Sequence, residues 1–234
     1  MQIQHLIEVF ELEGRLLDAT LRHHPALRPL FSRDFHGVDA NALRRAYLQL
    51  LKLSADYVQY TVPALRAAGE VLRTGDGEDR RWSKMLLEYA AGESDEQAGY
   101  GHHVWARDDM TALGASRDLL DAPAHPSAIL YGKYFIDDAV RHPYAILGAK
   151  GVLEHLSIRS ASDLVRGLLD SGIPNAENAI SFIHHHGVLD VDHIREGNDN
   201  LRQLEQVHKR RQIVEGAYFT SGAYRALLHH LLPA

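Results

Sequence analysis

Residues 181–197 read SFIHHHGVLDVDHIREG. As a helix this stretch places Ile183, His186, Asp190, His193 and Gly197 at steps of three and four, so their side chains leave one face, stacked a turn apart. The face is apolar at its margins and therefore turns inward. Two imidazoles and a carboxylate in a buried stripe need partners, because an unpaired polar group in a core costs several kcal/mol. A metal ion satisfies all three at once. The chain carries 16 histidines in 234 residues, so the motif gains weight only from companions elsewhere.

Working outward, apolar residues recur at helical spacing along nearly the whole chain and alternating β-branched runs are nearly absent, which predicts an all-α fold. A first helix is expected over about 3–23, stopping before Pro25. A second, capped by Asp39, carries Leu43, Tyr47, Leu50, Leu51, Ser54 and Val58 on its buried stripe and is bent or interrupted at Pro63. A third is expected over about 79–113, its inner face running through Met85, Tyr89, Gly92, Glu96, Gly99, His103, Ala106 and Met110. Gly92, Gly99 and Gly101 each cost a helix interior about 1 kcal/mol relative to alanine. Further helices open at Pro126, at Pro143 and at Ser160 or Ser162, and the last runs over about 204–232. The sum is a single domain over 1–234, a bundle of seven to eight helices.

Glu96 and His103 lie two turns apart and point the same way. Glu154 falls in the apolar stripe Leu147, Gly151, Glu154, Ile158, where a lone glutamate is often salt-bridged. Asp95 and His102 share the seven-residue spacing and stand as the alternative pair. With Glu96, His103, Glu154, His186, Asp190 and His193 the inventory is three carboxylates and three imidazoles from separate segments. It suits two divalent first-row metals, imidazole favouring iron or manganese over calcium or magnesium, with three negative charges nearly balancing two dications. Lys150, one turn before Glu154, either reaches toward the pocket or is solvated or paired. Tyr47, Tyr57, Tyr131 and Tyr134 sit at helical spacing, as core residues or as pocket walls.

The net charge of −6 is spread over both halves, which argues against a nucleic-acid surface. There are no cysteines, so disulfides and thiol nucleophiles are excluded. No stretch approaches a membrane span and the N-terminus lacks a signal-peptide pattern, so a soluble, cytoplasmic protein is expected.

The order Glu-x6-His, isolated Glu, His-x3-Asp-x2-His in an all-helical chain of this size resembles the heme-oxygenase-like diiron oxidases and oxygenases. Thiaminase-like proteins and the pyrroloquinoline quinone synthesis oxidase share that fold. The resemblance covers nearly the whole chain and implies a heme-oxygenase-like bundle. It implies Glu96, His103, Glu154, His186, Asp190 and His193 as ligands to two Fe(II) ions, with manganese as a substitute metal. Dioxygen is the implied co-substrate, and the substrate a small amine, amino acid or carboxylic acid undergoing N-oxygenation or oxidative C–C cleavage. An external electron donor and a homodimer are further expectations, with no nucleic-acid or membrane partner. Two other outcomes stay open: a metal-independent oxidase like the quinone-synthesis branch, and a non-catalytic ligand-binding or interaction domain of the same fold.

Overall fold

The structure, a computed structural model, describes residues 2–95 and 100–231. Its organising element is α9 (Ala145–Asp170), 26 residues long and buried nearly all round over Ala145–Ala149 and again at Gly151, Val152, Glu154, His155 and Leu156. A helix apolar on every side belongs at the centre of a bundle, and α9 packs against α1 (Ile3–His23), α2 (Arg28–Ser32), α10 (Ser181–Leu201) and α11 (Val207–Leu228). Its small residues allow very close crossings. A Cβ on Gly148 would lie 2.0 Å from the Ile213 carbonyl oxygen, and one on Gly216 would lie 2.0 Å from that of Ala145, so α9 and α11 touch backbone to backbone.

Around this pair the chain adds α3 (Ala40–Val58), α4 (Thr61–Leu72), α5 (Gly77–Glu93), α6 (His103–Ala112), the short α7 (Arg117–Leu120) and α8 (Pro126–Ile136). Asp39 caps α3 as expected, accepting from the amides of Asn41 and Ala42. Asp76 and Asp79 form a reciprocal capping box at the start of α5. Buried Lys209 on α11 lies 3.3, 3.0 and 2.7 Å from Asp76, Glu78 and Asp79, and Tyr144 donates to Asp79 at 2.8 Å. This knot fixes where α5 begins, and so where its far end delivers Tyr89 and Glu93.

The all-α bundle expected from periodicity is what folds, cut into more pieces than seven or eight. The second expected helix divides at Gln59–Tyr60. The fifth and sixth fuse into α9, Ser160 turning its hydroxyl back on the Leu156 carbonyl inside the helix instead of capping a new one. The third expected helix does not run through. It ends at Glu93, pairs Ser94 with Gly101 and Asp95 with Tyr100 in a two-residue antiparallel ladder, and resumes at His103. The Ser94 hydroxyl bonds back to the carbonyls of Ala90 and Ala91, closing the end of α5. Among the described residues no helix is long and apolar enough to cross a membrane.

Candidate metal centre

Three i, i+4 pairs converge where α5, α9 and α10 meet: Tyr89 with Glu93, Lys150 with Glu154, and His186 with Asp190. The tightest group is Glu154, Asp190 and His193, with one potential ligand atom from each all within 4.8 Å of one another. His193 Nδ1 lies 3.3 Å from Asp190 Oδ1 and 3.6 Å from Glu154 Oε1. Tyr89 donates to Glu154 Oε1 at 3.0 Å and its hydroxyl is 3.4 Å from His193 Nδ1. Lys150 Nζ is 2.6 Å from Glu154 Oε1 and 4.5 Å above the Tyr89 ring.

Beside it is a looser trio of Glu93, His102 and His186. Glu93 Oε2 is 3.1 Å from His102 Nδ1, and the His102 and His186 rings meet edge to face at 5.2 Å. His102 also stacks on Trp105 at 4.1 Å. Its Nδ1, though close to Glu93, is out of line for a proper hydrogen bond and is a buried polar atom without a hydrogen-bond partner among the described residues. Such an orphan calls for an explanation, and an unfilled coordination position is one. His186 adds a second sign: its Nδ1 is 2.8 Å from the Phe182 carbonyl. A proton on Nδ1 makes that hydrogen bond and leaves Nε2 as a free lone pair, the way metal-binding imidazoles are usually oriented. The donor set, carboxylates and imidazoles with no thiolate, suits iron or manganese.

The titration behaviour follows from the packing. Burial pushes the Glu154 carboxyl up to about 7, Lys150 opposing the shift and Asp190 adding to it. Burial also acts on Glu93, but the His102 imidazole, Tyr89 and His186 override it and hold the group at about 2. His186 is lowered, chiefly by burial, whereas the hydrogen bond to Asp190 raises His193.

Of the six residues read from the sequence, Glu154, His186, Asp190 and His193 come together here. Glu96 lies outside the described residues. His103 is placed elsewhere, lining a small cavity with Asp56, Gln59 and Arg107 on the α3 side of α6. The interruption is the reason: α5 ends at Glu93 and α6 begins at His103, so the phase of one continuous helix does not carry from one to the other, and His102 is the imidazole that faces α10. Sequence reasoning passed over Glu93 because an unbroken third helix assigns the inward face to Glu96. It also passed over Asp109 on α6, which is buried and accepts from the amides of Ser181 and Phe182, holding the N-terminus of α10.

Two cavities meet at this cluster, and Tyr89, Lys150 and Glu154 line both. The inner one, about 120 Å³, is walled by Leu50, Tyr57, Leu153, Tyr131, Tyr224 and other apolar groups and also touches Glu93, His186 and Asp190. The outer one, about 330 Å³, has Phe10, Trp82 and Met85 for walls and Glu88, Glu196 and Asn198 among its polar residues. Tyr57 and Tyr131 are thus pocket walls. Tyr47 is core, its hydroxyl on the Ala179 carbonyl, and Tyr134 stacks on Phe219.

A family model described as iron-containing redox enzyme matches residues 45–225, well over half of the chain. The chain belongs to this family of iron-containing redox enzymes. A domain of unknown function with a heme oxygenase-like fold from Shewanella denitrificans superposes with a TM-score of 0.72 at 15% identity, over 94% of this chain and 88% of that one. A CADD-like protein of unknown function from Nostoc punctiforme superposes with a TM-score of 0.61 at 15% identity, over 95% and 98% of the two chains. Both likenesses show the fold: this member of the family is an all-α, heme-oxygenase-like bundle. A search of curated proteins by sequence finds no match.

Proposed function

We propose that this family member is a non-heme diiron oxidase or oxygenase that uses dioxygen to oxidise a small organic molecule. The reading is supported above all by the pairing of two adjacent trios, Glu154–Asp190–His193 and Glu93–His102–His186, each mixing carboxylate with imidazole. In it Glu93 and His102 fill the two places that helical spacing assigns to Glu96 and His103. Ferrous iron held there supplies one-electron chemistry toward dioxygen that no side chain offers.

The chain's own contribution is positional. The Phe182 carbonyl fixes the tautomer of His186. Tyr89 keeps a proton between Glu154 and His193, burial holding its hydroxyl far above the usual phenol range. Tyrosines and leucines wall the cavity on the substrate's side of the cluster. An external electron donor and a small substrate complete the proposal.

The test is anaerobic titration with ferrous iron, counting of bound metal, then admission of oxygen while following oxygen uptake and visible absorption. Two irons per chain and rapid oxygen consumption are expected. Failure to bind iron would sink the reading in favour of a metal-independent oxidase or a binding module.

A further inference from the structure

Among the described residues, Lys150 is the only lysine or arginine on the wall of either cavity. It sits where they join, its side chain 15% exposed, held by Glu154, by the His193 carbonyl at 3.3 Å and by the face of Tyr89. A buried ammonium is costly unless an anion faces it. In the metal-free cluster that anion is Glu154.

We propose that Lys150 selects an anionic substrate, holding the carboxylate of a small organic acid at the junction of the two cavities while the acid's apolar body fills the inner one. This rests on the two-metal reading and deepens it. Two divalent ions outweigh the carboxylates of Glu93, Glu154 and Asp190 by one charge, and Lys150 adds a second. A pocket walled mainly by apolar side chains, with that surplus, favours an anion over a neutral or cationic guest. Once Glu154 is engaged by a dication, its hold on Nζ weakens and a donor is released toward the cavity.

The size of the apolar body follows from the inner cavity. Its volume of about 120 Å³ is close to the roughly 150 Å³ of an apolar cavity that takes benzene, which fits about six carbon atoms. The edge-to-face tyrosines Tyr57, Tyr131 and Tyr224 offer walls suited to a ring or a branched alkyl group. The same cavity is touched by Ser157, whose buried hydroxyl has no hydrogen-bond partner among the described residues.

The probes are phenylacetate, phenylacetamide and phenethylamine, equal in carbon skeleton and different in charge. Each is titrated calorimetrically into anaerobic protein loaded with ferrous iron, with bound iron counted in the same samples. Phenylacetate is expected to bind at least about tenfold more tightly than the amide or the amine. The Lys150→Met variant is expected to lose that preference while keeping its iron count and its affinity for the amide, which separates loss of the cation from damage to the pocket. Iron-loaded protein that does not prefer phenylacetate, or a Lys150→Met variant that keeps the preference, overturns the role of Lys150 and leaves the metal centre standing. Protein that takes up no iron overturns the reading of the centre, and this inference with it.

Discussion

Glu93 and His102 face each other at 3.1 Å across a break in the helix that, by periodicity alone, runs straight through them. The contact joins the end of α5 to the start of α6 and turns both groups toward His186 and Asp190 on α10. Removing either partner strips one place from the looser trio. The Glu93→Ala and His102→Ala variants are each expected to bind about one iron per chain where the native protein binds two, and to lose most oxygen consumption. His103→Ala, on the far side of α6, is expected to bind the native amount. Iron counting by a colorimetric chelator separates the two histidines, and the same measurement on Glu96→Ala separates the two glutamates. A native count for His102→Ala with a halved count for His103→Ala would reverse the assignment.

Glu154 makes the metal-free protein sensitive to pH. Its folded-state carboxyl titrates at about 7, above the ordinary value of 4.5, so folding favours the protonated form. The resulting stability is full below pH 4.5 and is lost as pH rises through 7, about 3 kcal/mol over the window. The groups facing it are Lys150 on its own helix, Tyr89 on α5, and Asp190 and His193 on α10. Denaturant unfolding of metal-free protein from pH 4.5 to 7.5 is expected to show this loss, and Glu154→Gln to flatten it. A slope unchanged by the substitution would place the titrating group elsewhere.

How far the sequence carries the site depends on whether a segment keeps helical phase. The His186, Asp190 and His193 spacing survives because α10 is one uninterrupted helix, through Gly187. Glu154 is legible for the same reason within α9. Glu93 is not, and His102 enters only as the alternative to His103, since reading an inward face by threes and fours assumes the helix continues, and here Ser94 ends it. The glycines at 92, 99 and 101 signalled a weak helix without saying where it gives way. Asp109 caps a helix far from it in sequence, and that kind of partnership leaves no local pattern at all.

Asp109 should matter more than its distance from the iron site suggests. It is 1% exposed and accepts from Ser181 and Phe182 at the positive end of α10. Asp109→Ala is expected to cost about 1–2 kcal/mol, as loss of a helix cap does, and to loosen the first turns of α10, where His186 depends on the Phe182 carbonyl. Amide exchange across residues 181–190 should quicken, with lower affinity for iron. Unchanged exchange there would mean that the rest of the bundle, not the cap, holds this helix end.

Lys209 offers a test of the fold free of the metal. It is 3% exposed, within ion-pairing distance of Asp76, Glu78 and Asp79, and joins the start of α5 to α11. Replacing it with methionine keeps the bulk and removes the charge, leaving the three carboxylates to repel one another. Breaking a buried ion pair on one side costs 3–5 kcal/mol, less where a partner reaches solvent as the half-exposed Asp76 does, so about 2–4 kcal/mol is expected. Because Lys209 is among the groups that hold the Asp76 and Asp79 carboxyls below the usual range, the deficit should shrink as pH falls toward 4 and these two take up protons. Denaturant unfolding of Lys209→Met at pH 7 and pH 4 checks both statements. A deficit equal at the two pH values would show that lost packing, rather than stranded charge, is what the substitution removes.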